Sequence, residues 1–426
     1  MRVLVIGSGA REHALCWALN RSPRLTQLYC APGNGGTAQL AENVPLNPMD
    51  FAACADWAER NAIDLTVVGP EDPLAGGIVD VFTARGLLTF GPTQAAARIE
   101  ASKSWAKQIM AQAGVPTAHS VSFGEMAAAE AYLARYLHDG GRFPIVVKAD
   151  GLMAGKGVVI AYTAEAAHAA LREFLGDPPV AGASALIEEH LDGVELSLFA
   201  LTDGERVAPL VPACDYKRAL DDDKGDNTGG MGAYSPPAFA TPELLAEIEQ
   251  RVLLPTVRTL AMAGTPFRGL LYAGLMITRE GKLHVLEFNC RFGDPETQVV
   301  LPRLQSDLLT LCEAVARRRL DEAPPLVWTD DATCGVVVAS GGYPGPYAKG
   351  LPISGLDTLD DDLLVFNAGT QRAADGQLVT NGGRVLTVVA RGATVAAARE
   401  RVYASIGRVR FAGARWRSDI AAREEP

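Results

Sequence analysis

The sequence predicts an α/β and α+β multidomain protein that opens with a doubly wound parallel sheet and closes with a small α/β domain. Three observations carry this reading. A chain of 426 residues is too long for one ordinary core. Its first part alternates short apolar runs with helical segments. Beyond residue 100 the order changes to helix, strand, loop and helix, followed by a strand-rich stretch.

In the first part the apolar runs are Val3–Ile6, Leu28–Ala31, Leu65–Val68 and Leu87–Phe90, separated by segments such as Glu12–Asn20 and Phe51–Asn61. Runs without polar alternation suit strands covered on both faces. Strands are next expected at Pro144–Lys148, Ala185–Glu189, Glu195–Leu201, Leu270–Thr278 and Leu283–Asn289. Asp321–Pro325 reads as a linker, followed by strands at Gly335–Ala339 and Arg384–Ala390 and a helix at Val395–Ile406. The expected domains are therefore 1–102, 103–325 with a lid at about 120–190, and 326–426.

An apolar share of 48% and a charged share of 21% are those of a soluble globular protein. The net charge of −11 argues against a nucleic-acid or anionic-membrane partner. No apolar run has the length of a membrane span. Met1–Gly7 enters a buried strand without the pattern of a signal peptide. The seven cysteines contain no Cys-x-x-Cys pair, so reduced thiols in a cytoplasm are expected.

Each N-terminal strand runs into a glycine-rich loop, and ligands of such sheets sit beyond the carboxyl ends of the strands. Gly7-x-Gly9-x-x-Glu12 resembles a dinucleotide turn. However, Glu12 stands at the third glycine, and Cys30-Ala31-Pro32 supplies no acid for a ribose hydroxyl. A turn that brings backbone near a smaller anion fits better. Gly33-Asn34-Gly35-Gly36-Thr37 is the stronger anion candidate, since its amides could converge as a nest with the Thr37 hydroxyl beside them. An ordinary flexible loop is the bland alternative.

Lys148 closes a strand, where a fixed cation can reach a nucleotide phosphate. The loop through Gly155-Lys156-Gly157 could fold over phosphates, although its spacing is not that of a P-loop and a hairpin turn is the plain alternative. Glu188 and Glu195 lie where a hinge would offer carboxylates to adenine and ribose, or simply solvated acids at a strand end. The run Asp215–Pro236 is rich in charge and glycine, which suits a loop that approaches a ligand with its backbone. Within it Asp221–Asp223 is expected to be solvated. In Glu287-Phe288-Asn289-Cys290-Arg291, alternation puts Glu287, Asn289 and Arg291 on one face and the others in the core. A carboxylate, an amide oxygen and a guanidinium on one face suit Mg²⁺ and the phosphate it carries, against the alternative of a solvated Glu–Arg pair. Of the six histidines only His13 is a candidate to face a ligand. No nucleophile elbow or Cys–His pair stands out.

Taken together, Gly7–His13, Lys148–Gly157, Asn227-Thr228-Gly229-Gly230-Met231-Gly232-Ala233-Tyr234-Ser235-Pro236, Glu287–Thr297 and Asn381–Val385 resemble the glycinamide ribonucleotide synthetase family of the ATP-grasp superfamily. The resemblance runs across nearly the whole chain and implies central ATP-grasp domains. It implies ATP-dependent ligation of glycine to 5-phosphoribosylamine through a glycyl phosphate, in de novo purine biosynthesis. By the same resemblance, Lys103, Lys148 and the loop with Gly155, Lys156 and Gly157 hold the phosphates of ATP, and Glu188 and Glu195 hold adenine and ribose. Glu287 and Asn289 bind Mg²⁺, with Mn²⁺ the alternative ion. Arg291 neutralises charge at the transferring phosphoryl. Asp215 and Gly293-Asp294-Pro295 shape the glycine pocket. Gly9, Gly33, Asn34, Gly35, Gly36 and Thr37, with Glu71 and Asp72, hold the phosphoribosylamine. The implied protein is a cytoplasmic monomer with small-molecule substrates and no nucleic-acid or membrane partner, touching neighbouring purine-pathway enzymes at most transiently.

The chain departs from the family at Tyr216, usually histidine, and at Asp226, usually proline. Tyrosine keeps a ring and a donor, whereas Asp226 removes a rigid φ and adds charge. Three rivals remain: another ATP-grasp carboxylate–amine ligase, a nicotinamide-dependent oxidoreductase, and a nucleotide sensor without turnover. An intact Glu287/Asn289/Arg291 trio disfavours the sensor, because neutralising transition-state charge is superfluous for mere binding.

Overall fold

The apolar runs of the N-terminal segment form a parallel sheet of β1 (Arg2–Gly7), β2 (Gln27–Pro32), β3 (Glu42–Asn43), β4 (Leu65–Val68) and β5 (Thr89–Phe90), in the order β3-β2-β1-β4-β5. This is a computed structural model, and it describes residues 1–153, 157–176, 178 and 180–422. Val3, Leu4, Val5 and Ile6 are all fully buried, as expected for a strand covered by helices on both faces. The covering helices are α1 (Ala10–Leu19), α2 (Phe51–Arg60), α3 (Glu71–Gly76) and α4 (Ile78–Ala84). Neighbours join β1 from both sides, so the crevice lies at the carboxyl ends of β1, β2 and β4.

Helices α5 (Gln94–Ala101) and α6 (Lys103–Ala113) lead out of this sheet, and the Ser102 hydroxyl caps α6 by accepting from the Trp105 amide. An antiparallel sheet follows, built from β6 (Ser120–Phe123), β7 (Ile145–Ala149), β8 (Val158–Ala161) and β9 (Ala185–Glu189) in the order β6-β9-β7-β8. Helices α7 (Met126–His138) and α8 (Ala164–Leu175) pack on it. Leu133, Val147, Leu171 and Ile187 form a core separate from the rest of the chain.

The strand-rich stretch contains β10 (Gly193–Thr202), β11 (Val207–Pro209), β12 (Cys214–Asp215), β13 (Arg218–Leu220), β14 (Lys224–Asn227) and β15 (Gly232–Ser235). After α9 (Pro242–Ile248) and α10 (Leu254–Met262) come β16 (Gly269–Thr278) and β17 (Leu283–Asn289), then α11 (Thr297–Val300) and α12 (Leu308–Ala316). The chain goes on through β18 (Ala332–Ala339), β19 (Leu364–Asn367), β20 (Thr370–Arg372), β21 (Leu378–Thr380), β22 (Arg384–Gly392) and α13 (Val395–Ile406). One sheet runs β11-β10-β16-β17 and another β12-β15-β18-β22-β19. The second sheet therefore takes two strands from the middle of the chain, because β15 pairs with β18 from Gly232↔Val336 to Ser235↔Thr333. Asp321–Pro325, read from sequence as a linker, begins with a single helical turn, and Asp321 pairs with Arg206 at 3.2 Å.

Two sequence expectations are corrected here. Asp221 and Asp223 are not merely solvated. The Asp221 carboxylate accepts from the backbone amide and hydroxyl of Ser418, and Asp223 pairs with Arg417 at 3.0 Å, fastening the β13–β14 hairpin to the C-terminal segment. Nor does His13 have a free Nδ1 to offer a ligand. Its Nδ1 accepts from the Asn367 amide at 2.8 Å, and its ring meets Phe366 edge-on, so it joins α1 to β19.

Burial lowers the His13 imidazole to about 4, so it is neutral in the fold and charges readily in the unfolded chain. Its contribution to stability is complete above pH 6.5 and is lost as pH falls towards 4, by at most ~3 kcal/mol. In thermal unfolding, His13→Gln should therefore lose less Tm between pH 7 and pH 5 than the parent chain does. An equal loss would remove His13 as a source of that pH dependence.

Candidate active site

The site is built on one face of the β10–β16–β17 sheet. Ser197 lies opposite Gly274, which lies opposite Glu287, and Tyr272 lies opposite Asn289. Residues paired in this way project to the same side. Gly274 in the middle row keeps that face low, since a β-carbon there would come within 3.3 Å of the Glu287 side chain. The β16–β17 register slips between Gly274 and Leu275, which bulges Leu286 out of the ladder. The Leu286 carbonyl then accepts from Lys148 Nζ at 3.3 Å, so the bulge that aims Glu287 also seats a lysine beside it. The expected alternation holds: Phe288, Cys290 and Phe292 are buried in the core.

Cations from several segments converge on Glu287. Burial alone would raise its carboxyl, but Lys217, Lys148, Lys103 and Arg291 outweigh that and hold it below the usual range. Glu287 is therefore an ionised oxygen donor. Lys103 starts α6 and donates to the Gly151 carbonyl at 2.9 Å; burial lowers its ammonium, and Glu287 works against that. Asn289 Oδ1 accepts from Arg291 at 3.2 Å. Among the described residues no group of three or more His, Cys, Asp or Glu side chains could hold a metal. Glu287 and Asn289 therefore fit an ion that takes one or two protein oxygens and completes its shell with water and phosphate.

Arg291 is braced from two sides. It pairs with Glu71 at 3.0 Å and with Glu100 at 2.8 Å, and Glu100 also accepts from the Cys290 amide at 2.7 Å. Burial works against the guanidinium charge, but Glu100 and Glu71 hold it well above the usual arginine range. Burial equally opposes the Glu71 charge, yet Arg291 and Arg11 bring its carboxyl down to about 2. Glu100 is pushed up by burial despite Arg291.

The other expected residues fall into place unevenly. Glu188 is buried, and its carboxylate is taken by Lys148 and Lys107, so it fixes lysines rather than presenting a free acid. Glu195 pairs with Lys217. Asp215 is buried at the end of β12, with Lys217 Nζ 3.9 Å away. Asp294 pairs with Arg384 at 3.1 Å and accepts from Gln298 at 2.7 Å. Pro295 lies where a β-carbon on Gly230 would stand, 2.3 Å from its Cδ. With a φ of +111°, Gly230 has two reasons to be glycine. Gly293 sits against Glu296. Gly157 accepts from the Ala149 amide at 2.9 Å, whereas Gly155 and Lys156 lie outside the described residues.

The anion nest expected at residues 33–37 is not formed. Gly33 donates to the Gly7 carbonyl, Asn34 to Thr37 Oγ1 and Gly35 to the Thr370 carbonyl, while Gly36 and Thr37 both donate to Asn34 Oδ1. Asn34 is the physical reason, since its side chain mimics an acceptor and closes the turn on itself. Its amide also donates to the Asn367 carbonyl at 2.7 Å, tying the loop to β19. Gly9 likewise has no amide to spare, because its N–H donates to Glu12 at 2.5 Å. Glu12 fills the space against Gly7, Gly9 and Gly69 where a dinucleotide backbone would have to pass, which counts against the nicotinamide rival. Asp72 is exposed.

Sequence reasoning missed Glu100, Lys107, Lys217, Arg384 and Arg11. Lys217 and Arg384 stood inside motifs already singled out, but Glu100 and Lys107 sit on unremarkable helices and carry no sequence signal. The two departures are accommodated. The Tyr216 ring is buried 4.8 Å beneath the Arg417 guanidinium, and Asp226 is exposed on β14.

Three family models match the chain: Phosphoribosylglycinamide synthetase N domain over residues 1–100, ATP-grasp (A) domain over 101–297 and C domain over 333–423. A phosphoribosylamine–glycine ligase from Nostoc sp. is 50% identical over 427 residues, covering 99% of this chain and 99% of the relative. One from Escherichia coli is 48% identical over 431 residues, covering 99% and 98%. The crystal structure of the Thermotoga maritima phosphoribosylamine–glycine ligase superposes with a TM-score of 0.85 at 32% identity, over 99% of this chain and 100% of that one. The biotin carboxylase domain of a Hydrogenobacter thermophilus 2-oxoglutarate carboxylase shares the fold, with a TM-score of 0.71 at 16% identity over 97% and 91% of the two chains.

Glu100→Gln keeps an acceptor for the Cys290 amide but removes one of the two charges that brace Arg291. Turnover should fall by about tenfold or more, with the KM for ATP changed by less than about threefold. Unchanged turnover would mean that Glu71 alone sets the position of Arg291.

Proposed function

The chain belongs to the phosphoribosylglycinamide synthetase family, and we propose from that premise that it joins glycine to 5-phosphoribosylamine. ATP phosphorylates the glycine carboxylate to a glycyl phosphate. The amine of phosphoribosylamine attacks its carbonyl, phosphate leaves, and glycinamide ribonucleotide and ADP are the other products of this step in purine biosynthesis. The observation that carries the reading is the convergence of Lys103, Lys148, Lys217 and Arg291 on Glu287, beside a buried Asp215.

Phosphoryl transfer asks the protein for position and charge neutralisation more than for a covalent nucleophile. Lys148 and Lys103 take the nucleotide phosphates, with Gly155, Lys156 and Gly157 as their further partners. Glu188 acts through the lysines it anchors. Glu195, partly exposed beside the β9–β10 turn, receives the ribose. Glu287 and Asn289 would hold Mg²⁺ or Mn²⁺, which when bound supplies charge neutralisation at the phosphates. Arg291, held in one orientation by Glu71 and Glu100, faces the charge that develops on the transferring group at little reorganisation cost. Asp215 takes the glycine ammonium, with Gly293-Asp294-Pro295 as the adjoining wall. Phosphoribosylamine is held in the crevice of the N-terminal sheet beside Gly9, the loop Gly33–Thr37, Glu71 and Asp72, with the amides of Gly9 and of the loop already spent inside the fold. All seven cysteines are free and buried, which supports a reducing, cytoplasmic setting. No helix among the described residues is long and apolar enough to cross a membrane.

ADP release, assayed with Mg²⁺-ATP, glycine and freshly made phosphoribosylamine and with each omitted in turn, tests the reading. Release should require both co-substrates and yield a product with the mass of glycinamide ribonucleotide; release indifferent to glycine would point to a different ATP-dependent ligase. Glu287→Ala should abolish turnover while its circular dichroism stays that of the parent. Retained activity would take Glu287 out of the metal site.

A further inference from the structure

Two carboxylates near Glu287 have oxygens without a hydrogen-bond donor among the described residues. Asp215 is one. Its side chain is 6% exposed, and the nearest cation, Lys217 Nζ, lies 3.9 Å away and is engaged by Glu195. Glu296 is the other, in the turn just before α11 and 3% exposed. Its Oε1 is saturated, accepting from Tyr272 Oη at 2.5 Å and from Ser197 Oγ at 3.3 Å. Its Oε2 receives nothing, and it stands 2.6 Å from the point where a β-carbon on Gly293 would lie. Glycine at 293 is what lets that oxygen approach the backbone.

Buried acids without donors are costly, so an arrangement of this kind is incomplete until a cation enters it. Burial pushes the Asp215 carboxyl up to about 7; Lys217 opposes this, while Glu296, Glu195 and Glu287 add to it. The imbalance is local, since Lys217 is shared among Asp215, Glu195 and Glu287, and Arg291, the cation that acts on Glu296, is already taken by Glu71 and Glu100. The chemistry selects among cations. The hydroxyls of Tyr272 and Ser197 are occupied with Glu296 and with each other, and among the described residues no group of three acidic, histidine or cysteine side chains could hold a metal. What fits is a small primary ammonium, which brings three donors to two carboxylates.

We propose that Glu296 is a specificity-determining residue for the amino acid substrate, its Oε2 sharing the glycine ammonium with Asp215 while Tyr272 and Ser197 hold it in place through Oε1. The proposal rests on the ligase reading above and adds to it the group that distinguishes an amino acid from a plain carboxylic acid. Tyr272 and Ser197 are positioning residues. They lie diagonally on neighbouring strands, Ser197 opposite Gly274 and Tyr272 opposite Phe199, in the sheet that carries Glu287 and Asn289, so the ammonium and the carboxylate of one small substrate are referred to a single rigid surface.

The test is steady-state kinetics of ADP release in Glu296→Gln and Tyr272→Phe, with glycine and with acetate as the carboxylate substrate. Glu296→Gln should raise the KM for glycine by about thirtyfold and narrow the preference for glycine over acetate by a similar factor. KM values for ATP and phosphoribosylamine should move by less than about threefold. Tyr272→Phe leaves the charge in place and should raise the KM for glycine by about threefold to tenfold. It also keeps the question answerable if Glu296→Gln does not fold. A fall in kcat/KM that is equal for glycine and acetate, or an unchanged KM for glycine in both variants, would overturn the proposal by making Glu296 a structural acid. A parent enzyme whose ADP release ignores glycine would instead overturn the ligase reading itself.

Discussion

A buried carboxylate is costly unless cations meet it, and at Glu287 several do, each delivered by a different part of the chain. Lys103 begins α6, Lys148 closes β7, Lys217 follows β12 and Arg291 follows β17. These cations keep the acid ionised against its burial, while Lys148, Lys217 and Arg291 each also have acid partners of their own. A nucleotide's phosphates would meet these cations already gathered and aligned.

Around that centre the protein uses its own acids as struts. Glu71 and Glu100 orient Arg291, Glu188 orients Lys148 and Lys107, and Asp294 orients Arg384. Arg384 also donates to the Asp294 carbonyl at 2.9 Å and to the Gly229 carbonyl at 2.5 Å, so the start of β22 holds the glycine-rich loop before β15. Charged groups that are already aligned need no rearrangement when charge develops on a substrate. The C-terminal sheet thus does more than cover the site, and its sharing of β12 and β15 with the middle of the chain follows from this fastening.

What the sequence made legible divides along a physical line. Strands buried on both faces, such as β1, β4 and β16, announce themselves by continuous apolar runs, and α13 by its helical spacing. The shared face of Glu287 and Asn289 was readable because side chains alternate along a strand, whereas Arg291 lies beyond the end of β17. Features set by long-range partners were not readable. The pairing of β15 with β18 depends on residues about a hundred positions apart. Asn34 satisfies its own loop, which composition alone could not separate from an open anion nest. Asp221 and Asp223 look solvated until the C-terminal segment that binds them is placed beside them. Glu100 and Lys107 occupy ordinary helical positions, and their roles exist only through Arg291 and Glu188.

The central claim is that this ring of cations serves to activate the glycine carboxylate as an acyl phosphate. Glycine labelled with heavy oxygen in its carboxylate, turned over with ATP and phosphoribosylamine, tests that claim directly by mass spectrometry of the released phosphate. The account predicts that one labelled oxygen passes from each glycine into phosphate, because the carboxylate oxygen that attacks ATP leaves with the phosphoryl group. Phosphate free of label, alongside normal formation of the product, would contradict it.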